Sequence, residues 1–151
     1  MSKVKDQSSA YIRWMIRRDM QAALSISVNT SVRWVEEEFL GALRQRNCIG
    51  MVAELDEKVV GYFVYQLYKN RIEILNFAVD VEHRKRGIGQ RMIDKLKSKL
   101  HHQRRNKIII DVPEDQIETL YYFSKRGFIA TELVRGRDDD GLDSIVMEYY
   151  L

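Results

Sequence analysis

Residues 48–80 carry the feature that most limits what this chain can become. Three strand-like runs, "CIGMVAELD", "EKVVGYFVYQLYKN" and "RIEILNFAVD", follow one another with turns at "DEK" and "KNR". Connections that short cannot return a chain to run parallel to its neighbour, so the runs form an antiparallel meander. Directly afterwards the hydrophobic spacing changes from that of a strand to that of a helix. In "GIGQRMIDKLKSKLHHQ", residues 87–103, Ile88, Met92, Ile93, Leu96 and Leu100 fall on one helical face.

The flanking segments complete an α/β pattern. "AYIRWMIRRD" reads as an opening strand, and Asp19 as the cap of a short helix over "MQAALSIS". "NTSVRWVEEEFLGALRQRN" reads as a single helix capped by Thr30 or Ser31, with Val32, Val35, Phe39, Leu40 and Leu43 as its apolar stripe. After the glycine-led helix, "KIIIDV" is almost wholly apolar and reads as a strand buried on both faces. "DQIETLYYFSKRG" is a helix, with Asp115 as its cap and Gly127 as its stop. "FIATELVRG" and "DSIVMEYYL" close the chain as two strands joined by the acidic loop "RDDDGL". The expected order is β, α, α, β, β, β, α, β, α, β, β, in one domain spanning residues 1–151.

Composition excludes several classes. No apolar run approaches the roughly 18 residues of a membrane span. "MSKVKDQSSA" lacks the apolar stretch of a secretory signal, so a cytoplasmic protein is expected. Cys48 is the one cysteine, so no internal disulfide forms; His83, His101 and His102 have no ligand-like companions, and no metal is expected. The net charge of +3 is unevenly placed. Between Arg84 and Lys107 stand ten lysines and arginines against a single acid, Asp94, a field that attracts an anion.

The centre of that field is "RKRGIG", residues 84–89, which is either a solvated turn or a phosphate cradle. It is neither a dinucleotide fingerprint, since position 92 is Met, nor a P-loop. What remains is R-x-x-G-x-G between a strand and a helix. In that setting glycines let backbone N–H groups reach a ligand and the helix adds the positive end of its dipole. The basic run "KLKSKLHHQRRNK" would also suit nucleic acid, but it holds no aromatic residue for stacking, so nucleic acid is not expected as the primary partner.

Taken as a whole, "NFAVDVEHRKRGIGQRMIDKL" resembles the GNAT family of N-acetyltransferases, in which an apolar-Ala-Val-Asp strand end leads into the glycine turn. Within it, the likeness through "NFAVD", the "GF" at Gly127–Phe128 and the tail "DGLDSIVM" is to the ribosomal-protein-alanine N-acetyltransferase type. The resemblance implies a GNAT fold: a mixed, largely antiparallel central sheet of about seven strands flanked by about four helices. It implies acetyl-CoA as co-substrate and an amine acceptor, preferably a protein or peptide α-amine. A small-molecule amine acceptor, or a CoA-binding module with little turnover, are the alternatives.

The resemblance also assigns residues. The backbone of Phe77, Ala78 and Val79 is implied to border the acetyl and pantetheine arm, with a free N–H acting on the thioester carbonyl. The backbone of Lys85, Arg86, Gly87, Ile88, Gly89 and Gln90 is implied to hold the pyrophosphate, with the side chains of Arg84, Lys85 and Arg86 adding long-range attraction. Gln116 stands where the family places a cofactor-touching asparagine. Asp111 stands where the subtype has a glutamate base; aspartate is one methylene shorter, so a bridging water is expected. The family's acid, a tyrosine, is replaced by Phe123, which has no proton to give. Three readings stay open: Tyr122, one position away, substitutes; the thiolate, with a pKa near 8.5, leaves unaided; or turnover is poor. The second is preferred.

Overall fold

In the computed structural model, residues 9–30, 32–136 and 141–151 are described. Ser31, named above as a possible cap, and most of the acidic "RDDDGL" loop that joins the last two strands lie outside them. The strands are β1 (Tyr11–Trp14), β2 (Cys48–Leu55), β3 (Lys58–Leu67), β4 (Ile72–Val79), β5 (Lys107–Pro113), β6 (Ile129–Val134) and β7 (Ser144–Tyr150). The helices are α1 (Met20–Ser27), α2 (Glu36–Leu43), α3 (Ile88–Lys97) and α4 (Ile117–Ser124). The strands form one seven-stranded sheet in the order β1-β2-β3-β4-β5-β7-β6. It is antiparallel throughout except between β4 and β5, which are joined through α3. No described helix is long and apolar enough to cross a membrane.

Each face of the sheet has its own core. α3 and α4 cover one face: Ile88, Met92, Ile93, Leu96, Phe123 and Phe128 pack on Phe63, Tyr65, Ile72, Ile74 and Ile108. α1 and α2 cover the other face over β2, β3 and β4 only, through Ala23, Ile26 and Phe39 on Val52, Tyr62, Val64 and Ala78. This corrects one expectation. β5 is not buried on both faces: Ile108, Ile110 and Val112 are buried, whereas Ile109 is half-buried and Asp111 exposed. α1 and α2 stop short of β5, so its second face has no helix above it.

Helix limits differ from the sequence reading for local reasons. The segment expected to be a helix from residue 29 becomes one only at Glu36, where the Val35 N–H donates to Glu38 Oε1 at 2.9 Å. Thr30 ends α1 instead, its hydroxyl donating to the Ser27 carbonyl at 2.8 Å. Of the expected stripe only Phe39 is buried; Val32, Val35 and Leu40 are exposed. α3 closes at Lys97, before the basic run ends, and Asp115 binds the Gln116 amide rather than capping α4. Gly127 stops α4 with φ +95°.

Asp19 also acts differently from a helix cap. It is almost fully buried and accepts the Ile16 N–H at 2.8 Å and both terminal nitrogens of Arg13 at 2.8 and 2.9 Å. Arg13 Nε reaches Glu54 at 2.7 Å. Burial alone raises the Asp19 carboxyl's pKa, but Arg13 and the Ile16 N–H more than offset it and hold it below the ordinary value. The fork clamps β1 to β2 and to the start of α1. Because the folded-state pKa is depressed, this stability is complete above the ordinary carboxylate range and is lost as pH falls through the folded-state value. Asp19→Asn is expected to lower stability by about 2–3 kcal/mol at pH 7, since it leaves Arg13 without its principal partner. Urea titrations at several pH values should show the gap from wild type narrowing below about pH 4; a gap independent of pH refutes the assignment.

Candidate functional site at the parting of two strands

β4 and β5 are paired over three residues only, Ile72↔Ile108, Glu73↔Ile109 and Ile74↔Ile110. The next residue of β4, Leu75, is a bulge: Tyr65 of β3 pairs with Ile74 and Val64 with Asn76. An extra residue bends a strand and swaps the faces of all that follow. Ile72 and Ile74 therefore face α3 and α4, and beyond the bulge Phe77 and Val79 do so in their turn. Asn76 and Ala78 lie on the α1 and α2 face. Past the bulge β4 keeps its pairing with β3 up to Val79, while β5 pairs with β7. The sheet parts between them, leaving the facing backbone groups of β4 without a strand partner.

A cleft of about 610 Å³ occupies this parting. Phe77, Ala78 and Val79 form one wall, and Ile110, Asp111 and Val112 the other. Its far end is the turn before α3. There Lys85 and Gly87 both have left-handed backbones, at φ +64° and +81°. A non-glycine residue in that region is uncommon, and such strain persists where the surroundings fix it. Gly87 is the N-cap of α3 and no side chain caps the helix. The N–H groups of Ile88, Gly89 and Gln90 therefore have no partner within the helix, by the geometry of any helix start. All three residues line the cleft, as do Arg84 and Lys85. Arg84 folds back so that its Nε donates to the Val79 carbonyl at 3.2 Å. Arg86 is the exception: it is exposed, and the turn made by its left-handed neighbours leaves it outside the cleft lining.

Gly89 is required for space. A Cβ there would land on the Tyr122 hydroxyl. Tyr122 is half-buried in the cleft wall, its ring tilted against Phe77 at 6.1 Å and covered by the Arg126 guanidinium 3.5 Å from its centroid. Burial raises its pKa, with Arg126 pulling the other way, so the phenol is protonated at neutral pH. Phe123 is core, edge-on to Phe77 at 5.4 Å and to Phe128 at 5.1 Å, and Tyr121 is largely exposed. Gln116 precedes α4 and lines the cleft, its amide donating to Asp115 Oδ1 at 3.2 Å.

Asp111 lies on the opposite side of the sheet from Tyr122. Ile110 and Val112 face α4, so alternation turns Asp111 toward the α1 and α2 face, in register with Val146 of β7. On that face Asn29, Thr30, Val32 and Asn76 complete the cleft. The parting is thus open from both faces. One side offers helix-start amides, cations and a phenol, and the other a carboxylate and carbonyl-rich loop.

Sequence reasoning missed several of these residues. The 29–32 segment reads as part of a helix in the sequence. Asn76 carried a signal, as the one polar side chain between Ile74 and Val79. Arg126 carried none: its Nη1 donates to the Tyr122 carbonyl at 2.9 Å, while its buried Nε has no hydrogen-bond partner among the described residues. His83 also lines the cleft, with Nδ1 2.7 Å from Asp80 Oδ2. No described group of histidine, cysteine and acidic residues is arranged to hold a metal.

Comparison with known proteins agrees with this architecture. Residues 12–128 match the model of the acetyltransferase (GNAT) family. No curated protein matches the sequence. Among solved structures, the chain is similar to Ard1 from Thermoplasma volcanium, with TM-score 0.83 and 23% identity over 94% of this chain and 97% of that one. It is similar to the ribosomal-protein-S18-alanine N-acetyltransferase from Escherichia coli, with TM-score 0.80 and 19% identity over 93% of each chain. A GNAT family acetyltransferase from Elizabethkingia anophelis with acetyl-CoA bound gives TM-score 0.74 and 19% identity over 94% and 98%.

The contact at Gly89 can be tested directly. Gly89→Ala should cost about 1–3 kcal/mol, the usual range for overpacking. Tyr122→Phe in the same chain should restore part of the loss, because it removes the atom nearest the new methyl. Thermal melts of the two single variants and the double variant give the coupling, and strict additivity contradicts the packing described.

Proposed function

This chain belongs to the acetyltransferase (GNAT) family, and on that footing we propose that it transfers the acetyl group of acetyl-CoA to a primary amine, namely the α-amine of a protein or peptide. One observation carries the reading: the gap between β4 and β5 opens in front of an uncapped helix start whose N–H groups face an anion-attracting turn.

Acetyl-CoA supplies an acetyl group activated as a thioester. The amides of Ile88, Gly89 and Gln90 bind its diphosphate, where full donors and the helix dipole coincide. Lys85 and Arg84 add charge at close range and Arg86 at longer range, and the unpaired Nε of Arg126 is a further donor for a phosphate oxygen. Gln116 lies along the same channel. A backbone N–H of the Phe77–Val79 stretch that faces the gap rather than β3 polarises the thioester carbonyl.

The amine enters from the other face and gives its proton to Asp111, directly or through water. An α-amine, with pKa near 8, is cheaper to neutralise than a lysine near 10.4 by roughly 3 kcal/mol, which suits a single carboxylate base. The similar folds of an alanine N-acetyltransferase and of an acetyl-CoA complex support the choice of acceptor and co-substrate. The Tyr122 hydroxyl lies against Gly89, where it shapes the cofactor channel; the thiolate leaves without a dedicated acid. Such a chain acts as one catalytic domain in the cytoplasm.

The experiment is a panel of peptides and amines incubated with acetyl-CoA and followed by free thiol. Asp111→Asn is expected to lower kcat/KM by about 10²–10⁴-fold at pH 7, with the deficit shrinking above pH 8 as the α-amine loses its own proton. Tyr122→Phe should change kcat by less than about threefold, far below the roughly 10²-fold or more of a proton donor. An Asp111→Asn variant with full rate at every pH removes Asp111 from its role. Calorimetry showing no coenzyme A binding removes the proposal as a whole.

A further inference from the structure

The segment between α1 and α2 forms the acceptor-side wall of the cleft through Asn29, Thr30 and Val32. Its described residues make no backbone hydrogen bond to a strand. Asn29 and Thr30 still bond back to the end of α1, at the Ile26 and Ser27 carbonyls. Beyond them, two side chains hold the backbone. Asn76 Nδ2 donates to the Val32 carbonyl at 3.3 Å, and the Trp34 N–H donates to Ser27 Oγ at 2.7 Å. Both side chains are buried, Ser27 fully and Asn76 at 4% exposure.

Between them stands the fully buried Tyr62. Its hydroxyl donates to Asn76 Oδ1 at 3.3 Å and also interacts with the Ser27 side chain. By engaging the amide oxygen, Tyr62 turns the Asn76 NH₂ toward Val32. Edge-on ring contacts, Trp34 on Phe39 at 5.1 Å and Phe39 on Tyr62 at 5.2 Å, also seat the segment and α2 against β3. The polar atoms are enclosed, so the loss of one partner strands the others in an apolar setting.

Asn76 follows the bulged Leu75 directly, and the bulge is what turns it to this face. The residue that begins the β4 wall of the cleft therefore also tethers the wall opposite. We infer that Ser27, Tyr62 and Asn76 are positioning residues for the acceptor: their buried relay sets the spacing between β4 and the 28–35 segment, and with it the affinity for the incoming amine. The inference rests on the acetyl-transfer reading of the cleft. It reaches further, because it separates acceptor binding from cofactor binding, which uses the other face.

Tyr62→Phe and Ser27→Ala remove one hydroxyl each and keep the packing. Three quantities are measured in each variant. The first is the acceptor KM for the alanine-starting peptide with the highest rate in the panel. The second is the calorimetric Kd for acetyl-CoA. The third is amide hydrogen exchange of residues 28–35. The acceptor KM is expected to rise about 5–20-fold, with kcat and the acetyl-CoA Kd within about twofold, and exchange should rise in 28–35 alone. Ile72→Val, a small core truncation at the paired end of β4, is the control for plain destabilisation and should show neither change. Parallel changes in KM and Kd, or unchanged exchange in 28–35, overturn the inference. If acetyl-CoA binds but no acceptor turns over, exchange confined to 28–35 still supports the tether and its absence refutes it. Failure of acetyl-CoA to bind wild type strikes the functional reading instead.

Discussion

The structure depends on the short parallel pairing of β4 with β5 and the bulge that ends it. Three residues of pairing are enough to lock the two halves of the sheet in register. Leu75 then supplies one residue too many, β4 bends away, and a line of backbone groups is left facing a gap. In an ordinary sheet those groups would be spent on a neighbouring strand. Here they line a cleft whose floor and ends are set by α3, α4 and the α1–α2 segment, so a defect in the ladder creates the place where chemistry can occur.

The same bulge divides the cleft into two chemical environments. Phe77 and Val79 turn to the side of α3 and α4, where the uncapped start of α3, Lys85 and Arg126 form an electropositive end. Asn76 turns to the side of α1 and α2, where Asp111 and the Val32 carbonyl lie. A phosphate-bearing molecule and an amine thus meet across the sheet, not side by side on it. Separate entry matters for catalysis by orientation, since two reactants held on a common line need less ordering when they react.

Much of this was legible in the chain. The meander, the element order and the amphipathic α3 follow from hydrophobic spacing and turn length, which are local properties. The glycine turn was legible because it combined cations with residues free of Cβ, and Gly87 and Gly89 serve distinct needs there, a left-handed cap and room for Tyr122. Where the reading failed, tertiary contacts outweighed local preference. The 29–35 segment has helical spacing, but Ser27 and Asn76 bind its backbone, and a helix would forfeit those bonds. β5 is apolar enough for a fully buried strand, yet the helices above one face end before reaching it. Asp19 stands where a cap belongs, but the half-buried Arg13 guanidinium competes for its oxygens more strongly than helix-start amides do.

What the sequence determined by itself was the set of elements, their order, and the presence of an anion-seeking turn before a helix, because each is encoded within a window of neighbouring residues. Only the tertiary structure decided that β4 and β5 part after Ile74, that Tyr122 meets Gly89, and that Asn76 spans the cleft to Val32. All three join residues 33 or more positions apart: Ile74 with Ile110, Gly89 with Tyr122, and Val32 with Asn76. The parting of the strands and the reach of Asn76 follow from a one-residue change of register, which no local pattern records because a bulge leaves the composition and spacing of a strand almost unaltered.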